Sequence, residues 1–201
     1  MPYSFAGRHL MLDALAAVAT HLSLHSAYPG DTGANELAGG APAYARQPVT
    51  WNAAASGAID NVGTQTFDIP PVTTVAFVGA WSALAAGTFY GSAPVGSGIP
   101  VPFTAEDSTD TLTADNHGFA DDQQVVVWDT QGAVIPTGLT QGDVYFVVSA
   151  TGDTLKLSLT SGGTAINLTG DGAGFLQRIQ PETFGGQGTF DVQDVDLDLL
   201  N

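Results

Sequence analysis

Residues 73–81 read TTVAFVGAW. The run is nearly continuous β-branched and apolar, the pattern of a central, buried strand. Reading outward from it, Thr64–Ile69 (TQTFDI) is a second strand, stopped by Pro70-Pro71, and Gly87–Gly91 (GTFYG) is a third. Gln47–Trp51 precedes them. Closer to the N-terminus, Leu22 and Leu24 point one way while His21, Ser23 and His25 point the other, the two-residue period of a strand. Short strands separated by Gly, Pro, Asn and Asp turns predict an antiparallel sandwich or barrel.

Upstream of these strands, Leu10, Ala14 and Val18, with Met11 and Leu15, recur at helical spacing, and Ser4 is placed to cap the helix. Downstream, the character of the chain changes between about Ser97 and Gln180. That segment holds ten of the twenty acids and its own set of predicted strands: Thr109–Thr113, Gln124–Asp129, Val144–Ser149, Thr154–Leu159, Ala165–Leu168 and Phe175–Ile179. In Thr154–Leu159, Leu155, Leu157 and Leu159 alternate with Lys156 and Ser158, as on a half-buried strand. Gly/Pro-rich flanks, APVGSGIPVP before and IQPE after, mark boundaries. Beyond Pro181 the character of the first 96 residues returns: ETFGGQGTF echoes GTFYG, and Val195, Leu197 and Leu199 alternate with Asp194, Asp196 and Asp198. The expected fold is mainly β: a split antiparallel β-sandwich, jelly-roll-like, with a short N-terminal helix. Residues 1–96 plus 181–201 form the sandwich assembly domain, and 97–180 are an inserted small β-domain.

Charge narrows the function. Twenty acids face only Arg8, Arg46, Lys156 and Arg178, a formal net charge of −16. Such a surface repels phosphate backbones, so no nucleic-acid partner is expected. The chain has no cysteine, hence no disulfide, thiolate metal site or cysteine nucleophile. LMLDALAAVA near the start is interrupted by Asp13 and has no basic flank, so it reads as a helix rather than a signal peptide. No apolar run approaches the roughly 18 residues of a membrane span, and no membrane partner is expected.

From the end of the first strand through Gln47–Trp51 runs HSAYPGDTGANELAGGAPAYARQPVTW, residues 25–51, thick with turn formers and carrying Arg46. Glycines 30, 33, 39 and 40 allow turns that side chains resist, and Asp31, Asn35 and Glu36 can hydrogen-bond them. Arg46 is the expected electrostatic latch of this loop, pairing with Asp31 or Glu36.

This stretch resembles a family of bacteriophage virion proteins of the tail-fibre or minor structural type. Its pattern of an LHTA-like strand, then PG, TG, NE and GG, then a YARQ-like strand is similar to Leu24-His25-Ser26-Ala27, Pro29-Gly30, Gly33-Ala34-Asn35-Glu36, Gly39-Gly40 and Tyr44-Ala45-Arg46-Gln47. Phe67–Pro70, Thr73–Trp81, Gly87–Ser92 and the final ETFGGQGTFDV resemble its later strands and hairpins. Many members of that family pass almost directly from one hairpin to the last, whereas this chain interposes residues 97–180. The interposed segment, with His117-Gly118-Phe119, Ile135-Pro136, Gly142-Asp143, Tyr145-Phe146-Val147 and Gly170–Gly174, resembles a small β-module of phage structural proteins. Both resemblances imply a virion component without catalytic residues.

Other chemistries suit the residues less well. Calcium takes six to eight oxygens, and the weak candidates are Asp194, Asp196 and Asp198, with Asp191, Asp115, Asp121 and Asp122 beside them. Alternation with apolar residues makes the C-terminal group the solvated face of a strand instead. His9, His21, His25 and His117 lack paired zinc spacing, and on a strand His21 and His25 lie about 13 Å apart. No nucleophile elbow is present, and Ser23 beside His25 is an ordinary strand pair. The glycine clusters lack a Walker lysine and open no helix. No cofactor and no enzymatic activity are expected. Among the aromatic residues, Trp128 and Tyr145 are the candidates for contact with a host-surface glycan, should the chain be a carbohydrate-binding adhesin. The expected role is non-enzymatic: a subunit on the exterior of a phage particle, in the tail fibre or tail tip or as a capsid-decorating or head-fibre protein. It would assemble with copies of itself and other virion proteins through exposed apolar patches around the N-terminal helix.

Overall fold

The computed structural model describes residues 4–130, 133–195 and 197–198, the last two by backbone alone. Among the described residues there is one helix, α1 (Phe5–Ala16), followed by the strands β1 (His21–His25), β2 (Gln47–Pro48), β3 (Ala58–Ile59), β4 (Gln65–Ile69), β5 (Thr73–Val75), β6 (Phe77–Trp81) and β7 (Phe89–Pro94). There follow β8 (Val101–Glu106), β9 (Thr111–Thr113), β10 (Gln124–Trp128), β11 (Val144–Val148), β12 (Thr154–Ser158) and β13 (Gly172–Ile179). The chain closes with β14 (Glu182–Phe184), β15 (Gly188–Val192) and β16 (Leu197–Asp198). The protein is mainly β, and all the pairings among these strands that have a register are antiparallel.

The backbone forms two compact units, Met1–Ala93 with Glu182–Asn201, and Pro94–Pro181. In the first, a four-stranded sheet runs in the order β2-β1-β6-β7. The run at 73–81 lies at the heart of this unit but is two strands, not one. β6 pairs with β1, setting His21 opposite Trp81 and His25 opposite Phe77, whereas β5 pairs with β14. Ala76 between them donates its N–H to the His25 carbonyl at 2.9 Å. The apolar run therefore passes from one sheet to the next, as strands do at the corner of a sandwich. The last residues complete the unit: β14, β15 and β16 pair respectively with β5, β4 and β3. Phe67, Ile69, Val75, Phe77, Leu22 and Leu24 are fully buried at its centre.

Ser4 caps α1 as its sequence position predicts, its Oγ accepting the Gly7 N–H at 3.2 Å. Both faces of β1 are buried, which the alternation of apolar and polar residues did not foretell. Leu22 and Leu24 lie against the apolar core, and Ser23 and His25 lie beneath the 26–46 loop and aromatic side chains from β6 and β7.

In the second unit β8 to β13 close into a barrel, in the order β10-β11-β12-β9-β8-β13 and back to β10. Inward-facing Phe103, Leu112, Val125, Val127, Val147, Leu155, Leu157 and Leu176 fill it. Three expectations are corrected here. β8 is a full strand in what reads as a Gly/Pro-rich boundary. Ala165–Leu168 contributes only an isolated bridge, Ala165 to Ser158. Leu159 is exposed, because β12 ends at Ser158, whose buried Oγ donates to the Thr160 carbonyl at 2.9 Å and turns the chain.

Candidate functional site

The 26–46 loop is held by two linked polar groups of side chains. The first is buried under it. The carbonyl of Ala34 can only accept, so His25 Nδ1 carries the proton of their 2.7 Å bond. His25 Nε2 is then the acceptor for Ser23 Oγ at 2.7 Å, and Ser23 Oγ accepts the Trp81 indole N–H at 2.9 Å. Burial, the largest cause, holds the His25 pKa below its ordinary value, outweighing the Ala34 hydrogen bond and nearby Glu36. A serine bonded to a histidine is the start of a nucleophilic pair. Here both residues are wholly buried and the histidine's other nitrogen is spent on a backbone carbonyl, so the pair ties the loop to β1 instead of presenting a nucleophile.

The second group is centred on Arg46. Its Nε donates to Glu36 Oε1 at 2.8 Å and its Nη2 to Oε2 at 2.7 Å, a bidentate fork. Nη1 donates to the carbonyls of Ala83 at 2.9 Å and Ala86 at 2.7 Å, so the same guanidinium grips the loop that follows β6. The guanidinium carbon lies 3.5 Å from the centre of the Trp81 ring. Tyr44 adds its hydroxyl, which donates to Glu36 Oε1 at 3.4 Å and accepts the Leu24 N–H at 2.8 Å. Burial pushes the Tyr44 phenol well above its ordinary pKa, so it remains a donor. Gly33 is required twice over. Its φ is +73°, and a Cβ there would overlap the six-membered ring of Trp81.

Of the sequence candidates, Arg46 and Glu36 are brought together and Asp31 is not. Asp31 is exposed in the turn, and Arg46 forms its ion pair with Glu36. Sequence reading missed the buried Ser23–His25–Trp81 chain, although alternation placed Ser23 and His25 on one strand face. Asp194 is exposed, Asp196 and Leu199 lie outside the described residues, and Asp198 is known only by its backbone pairing with Ala58. Among the described residues no three His, Cys, Asp or Glu side chains converge to hold a metal ion. Several barrel acids instead accept backbone N–H groups across loops: Asp121 from Ala150 at 2.8 Å, Asp122 from Gly162 at 2.7 Å, and Asp153 from Asn116 at 2.9 Å.

Tyr145 must be removed from the candidate glycan contacts. It is only 2% exposed, its ring lies in the barrel core, and its hydroxyl accepts the Thr140 N–H at 2.8 Å. A buried ring offers no face for a sugar to stack on. Trp128 is half-buried on the barrel exterior, its indole N–H donating to Gln177 Oε1 at 2.8 Å.

The chain is mainly β, its Arg46 and several barrel carboxylates pin loops, and its Ser–His pair is buried. Residues 11–111 match the family model described as podophage GP4 fiber I protein gp80, which takes in half of the chain, and the chain belongs to that family. It is thus a bacteriophage fibre structural protein, a component of the virion. No curated protein and no solved structure matches it.

Proposed function

We propose that this chain is a non-enzymatic subunit on the exterior of the phage particle, acting by docking to copies of itself and to neighbouring virion proteins. The observation that carries this reading is the family match over residues 11–111. Two features support it. A net charge of −16 suits a surface turned away from packaged DNA. The Arg46 and His25 groups fasten a long loop, which gives a docking surface a fixed shape. Tail-fibre or tail-tip placement and head-fibre or capsid-decorating placement both satisfy these features.

The test is immunogold electron microscopy of intact, purified particles with antibodies against the full chain. Gold on the outside of fibre, tail or head is the expected outcome. Label that appears only after particles are broken open, or protein absent from purified particles, would overturn the reading.

A second reading, a host-surface glycan contact, has one observation in its favour. A shallow groove of about 330 Å³ on the barrel is lined by Asp122, Gln123, Gln124, Arg178 and Gln180, with Ile179 and Pro181 beside them, and its planar polar groups suit sugar hydroxyls. Host-cell or glycan-array binding by the full chain that Arg178→Ala abolishes would favour it; binding indifferent to that change would sink it.

A further inference from the structure

Residues 26–35 leave β1 and return to their own start. The Ser26 N–H donates to the Asn35 carbonyl at 3.0 Å and closes the neck, as in an Ω-loop. Within the segment, the Ala34 N–H donates to the Pro29 carbonyl at 3.0 Å and Asn35 Nδ2 to the Tyr28 carbonyl at 2.9 Å. Just beyond it the chain is fastened separately: Glu36 by Arg46, and the Leu37 N–H by the Leu24 carbonyl at 3.0 Å. His25 reaches up from β1 to hold the Ala34 carbonyl through Nδ1, and Gly33 lies against the Trp81 ring. Beneath the segment Ser23 and His25 are wholly buried.

The hydrogen bonds there suit a neutral histidine. Its one N–H is spent on Ala34, and its one lone pair takes the Ser23 proton. Ser23 Oγ meanwhile accepts the Trp81 indole N–H. A second proton would make Nε2 a donor facing that same oxygen. The Ser23 hydroxyl would then lose its acceptor in a site closed to water. The ring has no room to turn aside. A Cβ on Gly79 of β6 would overlap both His25 Nε2 and Ser23 Oγ, and the Phe89 ring of β7 packs at 5.8 Å. β6 and β7 thus face His25 with Gly79, Trp81 and Phe89, which carry no charge. The charged groups near it are Glu36 and Arg46 of the loop, which are bound to each other and act on it in opposite senses. Burial outweighs both and keeps the ring below its ordinary pKa.

We infer that residues 26–35 are an acid-released lid over β1, with His25 as its catch. When the lid lifts, His25 meets water and takes up a proton near its ordinary value of 6.5, whereas the closed site resists that proton. The closed form therefore keeps its full advantage above pH 6.5 and loses it as pH falls toward the depressed folded value. Within that window the lifted fraction grows by up to about tenfold per pH unit. The Arg46 fork to Glu36 takes no part in this exchange, so residues 36–46 stay fastened while the lid moves. Lifting bares the Trp81 ring and the Ser23 hydroxyl, and acid thereby changes the surface that the first unit presents.

Hydrogen exchange of the full chain between pH 7.5 and 5.5, a window above the ordinary carboxylate range, tests this once rates are corrected for the intrinsic effect of pH. The expected result is a threefold or greater loss of protection at the Ser26 and Ala34 amides as pH falls. Amides of β4 and of the barrel should hold theirs, and in His25→Gln the loss at Ser26 and Ala34 should vanish. Unchanged protection at Ser26 and Ala34 would overturn the inference. So would an equal loss at β4, which means that the whole unit loosens, or an equal loss in His25→Gln. Should His25→Gln fail to fold, the His25 ring signals of the natural chain, followed by NMR, take its place. Their titration midpoint must coincide with that of the lost protection, and a mismatch overturns the lid.

Discussion

The two units solve the same problem with different means. In the first, β2, β3 and β16 are only two residues long, and the long 26–46 loop is fastened by buried polar contacts. In the second, each of the six strands has a neighbour on both sides, no edge remains open, and apolar residues fill the interior. Glu36 is spent on Arg46, whereas Asp13 of the first unit and Asp121, Asp122 and Asp153 of the barrel accept backbone N–H groups. With only four bases in the chain, ion pairs cannot absorb twenty carboxylates. Capping of loop N–H groups is the remaining stabilising use for an acid. The first unit is therefore expected to respond to loss of single polar residues, and the barrel to loss of core volume.

That contrast can be broken most directly at Arg46. Arg46→Ala leaves Glu36 without its partner and releases two carbonyls, and is expected to cost the first unit about 4 kcal/mol. Chemical denaturation measures the loss, and hydrogen exchange localises it: amides of residues 34–37 should lose protection while barrel amides keep theirs. A loss under about 1 kcal/mol, the worth of an exposed ion pair, would mean that the loop is held by something else. The barrel counterpart is Leu176→Ala, expected to cost about 3 kcal/mol through lost burial and a cavity. Its exchange signature should be confined to the barrel, and spread into residues 26–46 would blur the distinction.

Smaller effects sharpen the comparison. Asp122→Ala removes a carboxylate that accepts from both Gly162 N–H and Ser161 Oγ, and about 1–2 kcal/mol is expected. An effect as large as that of Arg46→Ala would show that polar pins matter equally in both units. The smallest effect at neutral pH concerns His25. Its folded pKa lies below 6.5, so the unfolded chain takes up a proton first as pH falls. The stability tied to neutral His25 is complete above pH 6.5 and declines below it, toward the depressed folded value. Melting temperatures measured from about pH 8 down to about pH 5 should fall more steeply for the natural chain than for His25→Gln. Parallel curves would remove His25 from the pH response.

Much of this was legible in the chain because strands announce themselves through alternation. β4, β10, β11 and β12 lie where their residues predict, within a residue or two at the ends. β8 has the same signal, with Val101, Phe103 and Ala105 alternating against Pro102, Thr104 and Glu106. Pro102 and the glycines before it disguised the strand as a linker. Pro102 sits opposite Phe175 of β13. The latch was half legible. A lone buried arginine needs a carboxylate, but Asp31 and Glu36 were equal on chemistry, and only the bridge between His25 and Glu36 sets Glu36 within reach.

What the sequence determined by itself was local: the two-residue and helical periods, the turns that glycine and proline impose, the capping serine, and an acid excess that disfavours nucleic acid. These depend on neighbours within a few residues or on a sum over the chain. Tertiary structure decided whatever requires two distant segments to meet. It split TTVAFVGAW between two sheets at Ala76, buried Ser23 and His25 beneath a loop, and drew Tyr145 into the barrel while leaving Trp128 outside. It also turned the apolar stripe of α1 outward, because His9 and Asp13 found their partners in the 54–57 segment. A helical period says that a helix has an apolar face; only the packing of the rest of the chain says which way that face looks.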